Sequence, residues 1–181
     1  GQLDIQSTGN LSVTGSAGTL LADSGQTLSL NSLSANRIQA EAQNIALNSV
    51  STTGNLSLEA TGNISQTGQV AVDGNTSLTA SRVNLNRSDN SFDGLVTVQA
   101  GNATVNATGE LNTSANVTGQ LDVQSTGNLI VTGNAGTLLA DSGQTLSLNG
   151  LTANRIQAEA QDIALNSVSN TGNLSLEATE I

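Results

Sequence analysis

The chain has 181 residues, fourteen of them acidic and four basic, and a formal net charge of −10. All four basic residues are arginine, Phe92 is the one aromatic residue, and Cys, His, Lys, Pro, Met, Trp and Tyr are absent. Without His or Cys there is no Ser-His-Asp triad, cysteine nucleophile, disulfide or zinc site of the usual kind. The acidic balance argues against a nucleic-acid partner, and no apolar run is long enough for membrane insertion.

Short alternating triplets begin at once and continue along the chain. They include Leu3-Asp4-Ile5, Leu11-Ser12-Val13, Leu28-Ser29-Leu30, Ile45-Ala46-Leu47, Leu56-Ser57-Leu58, Val70-Ala71-Val72 and Val83-Asn84-Leu85. Each reads apolar, small or polar, apolar, which is the period of a half-buried strand. Between them Thr-Gly-Asn recurs at 8–10, 53–55, 61–63, 126–128, 132–134 and 171–173. Glycine and asparagine both suit a tight corner. Residues 34–44 are the best helix candidate, but Ile38-Gln39-Ala40-Glu41-Ala42 also alternates and predicts strand. The remainder is too rich in Ser, Thr, Asn and Gly for stable helices.

A long internal duplication organises these pieces. Residues 1–61 recur as 119–179, with 54 of 61 positions identical. The chain therefore reads as one repeat-built segment, with residues 1–118 forming a full unit and 119–181 the start of a second, nearly identical copy. That arrangement is expected of a window cut from a longer array.

Very short strands with Gly/Asn corners and few hairpin signals predict an all-β fold, a right-handed parallel β-helix or β-solenoid. Six coils of about 20 residues fit the 118-residue unit, and five of about 24 are the alternative. About nine coils are expected in all, with each duplication carrying a whole number of them so that the core stays stacked. Leu, Val and Ile point inward, while Ser57 and Ala71 point outward beside Leu58 and Val72. Asn side chains at equivalent corners are expected to form amide ladders.

Gly62-Asn63-Ile64-Ser65-Gln66-Thr67-Gly68, followed by Asn90-Ser91-Phe92-Asp93-Gly94-Leu95-Val96, resembles the repeats of large filamentous-haemagglutinin-like adhesins. These are two-partner secretion exoproteins of Gram-negative bacteria, and within the group the likeness extends to biofilm-matrix adhesins. The resemblance implies a structural stalk that is secreted or displayed on the bacterial cell surface. It implies reach for cell–cell or cell–matrix adhesion, export through an outer-membrane two-partner transporter, and no cofactor. Other parts of such a chain would meet matrix polysaccharide or a host or neighbouring cell surface. The first residues are not those of a signal peptide, so an export signal is expected outside this segment. The lack of cysteine fits passage through a periplasm.

Candidate sites are few, and no catalytic, cofactor or metal residue is assigned. Asp89, Ser91 and Asp93 before Gly94 have the spacing of the start of an EF-hand loop, but Ala100 stands where its closing Glu would be. The simpler expectation is a turn with Phe92 tucked into the core. Glu41 and Glu59 invite comparison with glycosidase carboxylates, yet no aromatic cleft or loop insertion accompanies them. An enzyme is therefore not expected. Direct polysaccharide binding by the polar faces is the alternative to a stalk. Arg37, Arg82, Arg87 and Arg155 are expected in local ion pairs. Asn-x-Ser/Thr sequons at Asn10, Asn55, Asn63, Asn75, Asn102, Asn106, Asn112, Asn116 and Asn173 are attributed to composition alone.

Overall fold

The computed structural model describes residues 1–179. Among them there is no helix, and every strand pairing is parallel. The chain winds as a β-solenoid of about ten turns with roughly 18 residues per coil. The average coil is therefore shorter than one sixth of the unit, the length expected from the sequence. Coils are also unequal. Val96 pairs with Thr113 one coil on, a shorter step than Ile38 to Leu56, and Leu56 to Thr76 is longer than either. Corners and loops take up the difference while inward side chains stay aligned. At ~4.8 Å per coil the rod is about 48 Å long.

Two walls close each coil, one of them bent midway, so that three parallel ladders run along the rod, as in Ile38–Leu56, Ile45–Ile64 and Val50–Val70. One column of paired residues runs Ile38, Leu56, Thr76, Val96, Thr113, Val131, Leu148 along the first wall. The other runs Ile45, Ile64, Val83, Ala103, Leu121, Leu138, Ile156 along the second. All of these are buried in one continuous core. Leu58 and Val72 are buried beside the part-exposed Ser57 and Ala71, as the alternation requires.

The stretches on the walls are of two kinds. A short, straight stretch turns three side chains inward, as with Leu56, Leu58 and Ala60 or Ile156, Ala158 and Ala160. A long stretch turns four inward and bends midway, as with Ile45, Leu47, Val50 and Thr52 or Leu146, Leu148, Leu151 and Ala153. The bends of the duplicated long stretches sit on left-handed residues: Gly15, Ser32, Ser49, Gly133, Gly150 and Ser167. Gly150 has no partner in the ladder between Thr132–Asn149 and Gly133–Leu151, so it is a bulge residue.

The duplication does not carry a whole number of coils. Ile38 lies on the first wall, but its copy Ile156 lies on the second. Conversely Ile45 lies on the second wall, while its copy Ile163 continues the column Leu111, Leu129, Leu146 on the first. Six coils along the second wall lead from Ile45 to Ile156. The copy of Ile45 comes later than Ile156 by close to half a coil. The core tolerates this because both walls are lined by aliphatic residues at the same alternation.

Corners use asparagine differently from expectation. The side-chain carbonyl accepts from a backbone N–H of the next coil: Asn55 from Asn75 N at 2.9 Å, Asn75 from Leu95 N at 3.0 Å, and Asn44 from Asn63 N at 3.0 Å. A corner also needs glycine where coils pass closely, since a Cβ on Gly94 would lie 2.5 Å from the Gly74 carbonyl oxygen.

Candidate functional site

Residues 86–94 form the one large departure from regular winding in the single-copy part of the unit. The ladder pairs Leu85 with Val105 below the excursion, and Thr108 N donates to the Asn90 carbonyl at 2.7 Å above it. The four intervening residues bulge outward. Arg87 folds back on Asp89 in a two-point ion pair, with Nε–Oδ1 at 2.9 Å and Nη2–Oδ2 at 2.7 Å. The Arg87 guanidinium holds the Asp89 carboxyl below its usual range. Arg87 also donates to the Thr67 carbonyl at 3.3 Å, and Gln69 to the Asp89 carbonyl at 2.6 Å.

Asn90 is fully buried, which the sequence pattern did not announce. Its Oδ1 accepts from Val70 N at 2.9 Å and Gln66 Nε2 at 2.8 Å. Its Nδ2 donates to Gln66 Oε1, Leu85 O and Asn106 O. One amide thus joins the coil below, its own coil and the coil above where the ladder is interrupted. Phe92 is buried in the core, paired with Val72. The EF-hand-like spacing therefore serves a turn: Asp89 is held by arginine, and the buried side chains are Asn90 and Phe92. Among the described residues, no group of three or more Asp or Glu is arranged to hold a metal ion.

Other carboxylates stack on the outer faces of short stretches. Glu41 pairs with Glu59, and in the second copy Asp141 pairs with Glu159 and Glu159 with Glu177. The repeat thus creates acidic ladders on both walls, with neighbours about one strand spacing apart, ~4.8 Å. An open hollow of about 260 Å³ lies over the second, lined by Asp122, Gln124, Leu139, Asp141, Gln157 and Glu159. Burial, and then the nearby Asp141 charge, push the Asp122 carboxyl above its ordinary pKa. A comparable hollow of about 360 Å³ lies beside Glu41 and Glu59. Both are shallow, and neither brings an arginine to the carboxylates. Arg37 and Arg155 donate to Gln39 and Gln157, two residues on in their own strands, instead of joining the expected ion pairs.

Several sequon asparagines serve corners. Asn10 and Asn102 accept from Thr27 N and Gln120 N, as Asn55 and Asn75 do from the coils above them. Asn106 donates to the Asn86 carbonyl and to Gln124.

No curated protein and no solved structure matches the chain. A family model described as "Repeats of unknown function (DUF5649)" matches residues 33–99, a stretch that runs from a bent long stretch through the Asn90 loop.

Proposed function

We propose that this chain is a structural stalk segment of a secreted or cell-surface bacterial adhesin, giving reach for cell–cell or cell–matrix adhesion within a biofilm. The observation that carries the reading is the unbroken core shared by about ten coils. Such a rod resists bending because each coil is held by the coils on either side. The likeness of its repeats to filamentous-haemagglutinin-like adhesins supports the same reading, and with it export by a two-partner transporter. In this role the segment catalyses nothing and leaves recognition to other parts of the chain. Direct binding of a matrix polysaccharide is the second reading, favoured by the two hollows lined by amides and carboxylates.

The test places one, two or three 118-residue units between a surface anchor and a binding tip of known specificity. Reach should rise by about 31 Å per unit at ~4.8 Å per coil, and the isolated chain should retain no matrix polysaccharide. Specific retention of a polysaccharide by the isolated chain, lost on substitution of the Asp122–Gln157 hollow, would replace the stalk with the binding module.

A further inference from the structure

The wall exchange between the copies has a local origin. Short and long stretches alternate along most of the chain, and up to residue 100 the short ones lie on the first wall and the long ones on the second. The alternation breaks once. Val96, Val98 and Ala100 form a short stretch on the first wall, and Ala103, Val105 and Ala107 form another immediately after it on the second. Both lie within the continuous strand Leu95–Ala107. The next stretch, Leu111 to Val117, is a four-residue lining on the first wall. From there on long stretches occupy the first wall and short ones the second.

We infer that residues 95–107 set the phase of the array, by supplying one extra short stretch that gives the unit an odd number of wall stretches. Consecutive copies then present the same outer surface on opposite sides of the rod. Asn90 and the 86–89 loop belong to the same device. They lie on the second wall where a long stretch must give way to a short one. The loop removes the surplus residues from the ladder, and the Asn90 amide restores the hydrogen bonds lost there. This phase setting is independent of the stalk role. Its consequence is two-sided display: any partner that recognises a short-stretch outer face meets it on both sides of one chain.

Residues 95–101 are the natural stretch to remove. Their deletion joins Gly94 to Asn102 and restores the Gly-Asn corner seen at Gly54-Asn55 and Gly74-Asn75. The alternation Ala103, Val105, Ala107 then takes the place of Val96, Val98, Ala100. The shortened unit matches in length the six coils that lead from Ile45 to Ile156.

Spin-label distances read the phase directly, because the chain has no native cysteine. Gln39 and Asn149 share a column six coils apart on the first wall. Gln157, the copy of Gln39, lies on the second wall. In the intact chain the pair Gln39→Cys with Asn149→Cys should give about 29 Å at ~4.8 Å per coil, and Gln39→Cys with Gln157→Cys a distance several ångström longer. In the deletion variant the order should reverse, with the 39–157 pair falling to about 29 Å. A 39–157 distance no longer than 39–149 in the intact chain overturns the wall exchange. An unchanged order in the folded deletion variant overturns the assignment to residues 95–101, and so does a variant that loses its β-sheet circular dichroism.

Discussion

At the scale of single residues, the core is mostly aliphatic, with Phe92, the Asn90 amide and a few hydroxyls, and the hydroxyls fall into two groups. Thr52, Ser24 and Ser142 are buried at corners, and each donates to a backbone carbonyl of the preceding coil: Asn36 O at 3.0 Å, Gly9 O at 2.7 Å and Gly127 O at 2.8 Å. Thr76 and Thr113 are equally buried, but their Oγ1 atoms have no partner. Thr113 sits in its column between Val96 and Val131, so valine fits the site in shape. Removing an unmet buried hydroxyl without leaving a void stabilises, whereas removing a bonded one strands its acceptor. Thr113→Val should therefore raise stability by about 1 kcal/mol, and Thr52→Val lower it by about 1 kcal/mol. Urea unfolding of the two variants measures both, and a shift of the same sign in each contradicts the assignment. The left-handed bends follow a related logic. Ser32 has φ of 45° where its copy is Gly150 at 57°, so the second copy has relieved at that bend a conformation that side chains rarely adopt.

At the scale of the wall stretch, outer faces are where charge acts. Asp122 lies in a hollow with Asp141 in the same lining, and its carboxyl is raised above its ordinary value of 3.8. A carboxyl whose folded pKa is raised binds its proton more tightly in the native state. Its favourable contribution is present in full below the unfolded pKa and is lost as pH rises through the folded one. Ionised Asp122 therefore weakens the fold at neutral pH. Asp122→Asn should raise the melting temperature at pH 7, and the gain should vanish as pH falls below about 3.8. A gain independent of pH would falsify the electrostatic cause. The stretches themselves were legible in the sequence, because alternation has one consequence in a strand: Leu58 goes in and Ser57 goes out. Residues 34–44 also followed their period of two despite favourable helix residues such as Ala35 and Glu41. Asn90 was not legible. A buried asparagine flanked by Asp89 and Ser91 reads as part of a polar loop, and only the interrupted ladder around it explains why it is inside.

At the scale of the whole molecule, the half-coil offset escaped the arithmetic because a repeat length divides cleanly only if all coils are equal. Here the step from Val96 to Thr113 is shorter than that from Leu56 to Thr76, and the aliphatic lining accepts either copy on either wall. The same duplication gives an internal control on what holds the rod together. Leu56–Ala60 and Leu174–Ala178 have the identical sequence Leu-Ser-Leu-Glu-Ala. The first lies between two coils, paired with residues of Leu11–Thr52 on one side and Thr76–Leu85 on the other, and its leucines are buried. Among the described residues the second is paired with Thr145–Ala160 alone, and Leu174 and Leu176 are 50% and 38% exposed. In a solenoid, local stability is the sum of a coil's own terms and its contacts with neighbours. Sequence being equal, the two segments differ in one neighbour. Partial exposure of the two, just under one full leucine side chain in sum, forfeits about 1.3–2.6 kcal/mol of burial, or roughly 10- to 70-fold in an opening equilibrium at 1.4 kcal/mol per tenfold. Native-state hydrogen exchange of the 181-residue chain should show the amides of Leu174–Ala178 exchanging faster than those of Leu56–Ala60 by at least that factor. Intrinsic exchange rates within the two pentapeptides nearly cancel. Equal protection of the two would mean that the chain opens as a single cooperative unit, and that coil-on-coil contact is not what grades its stability.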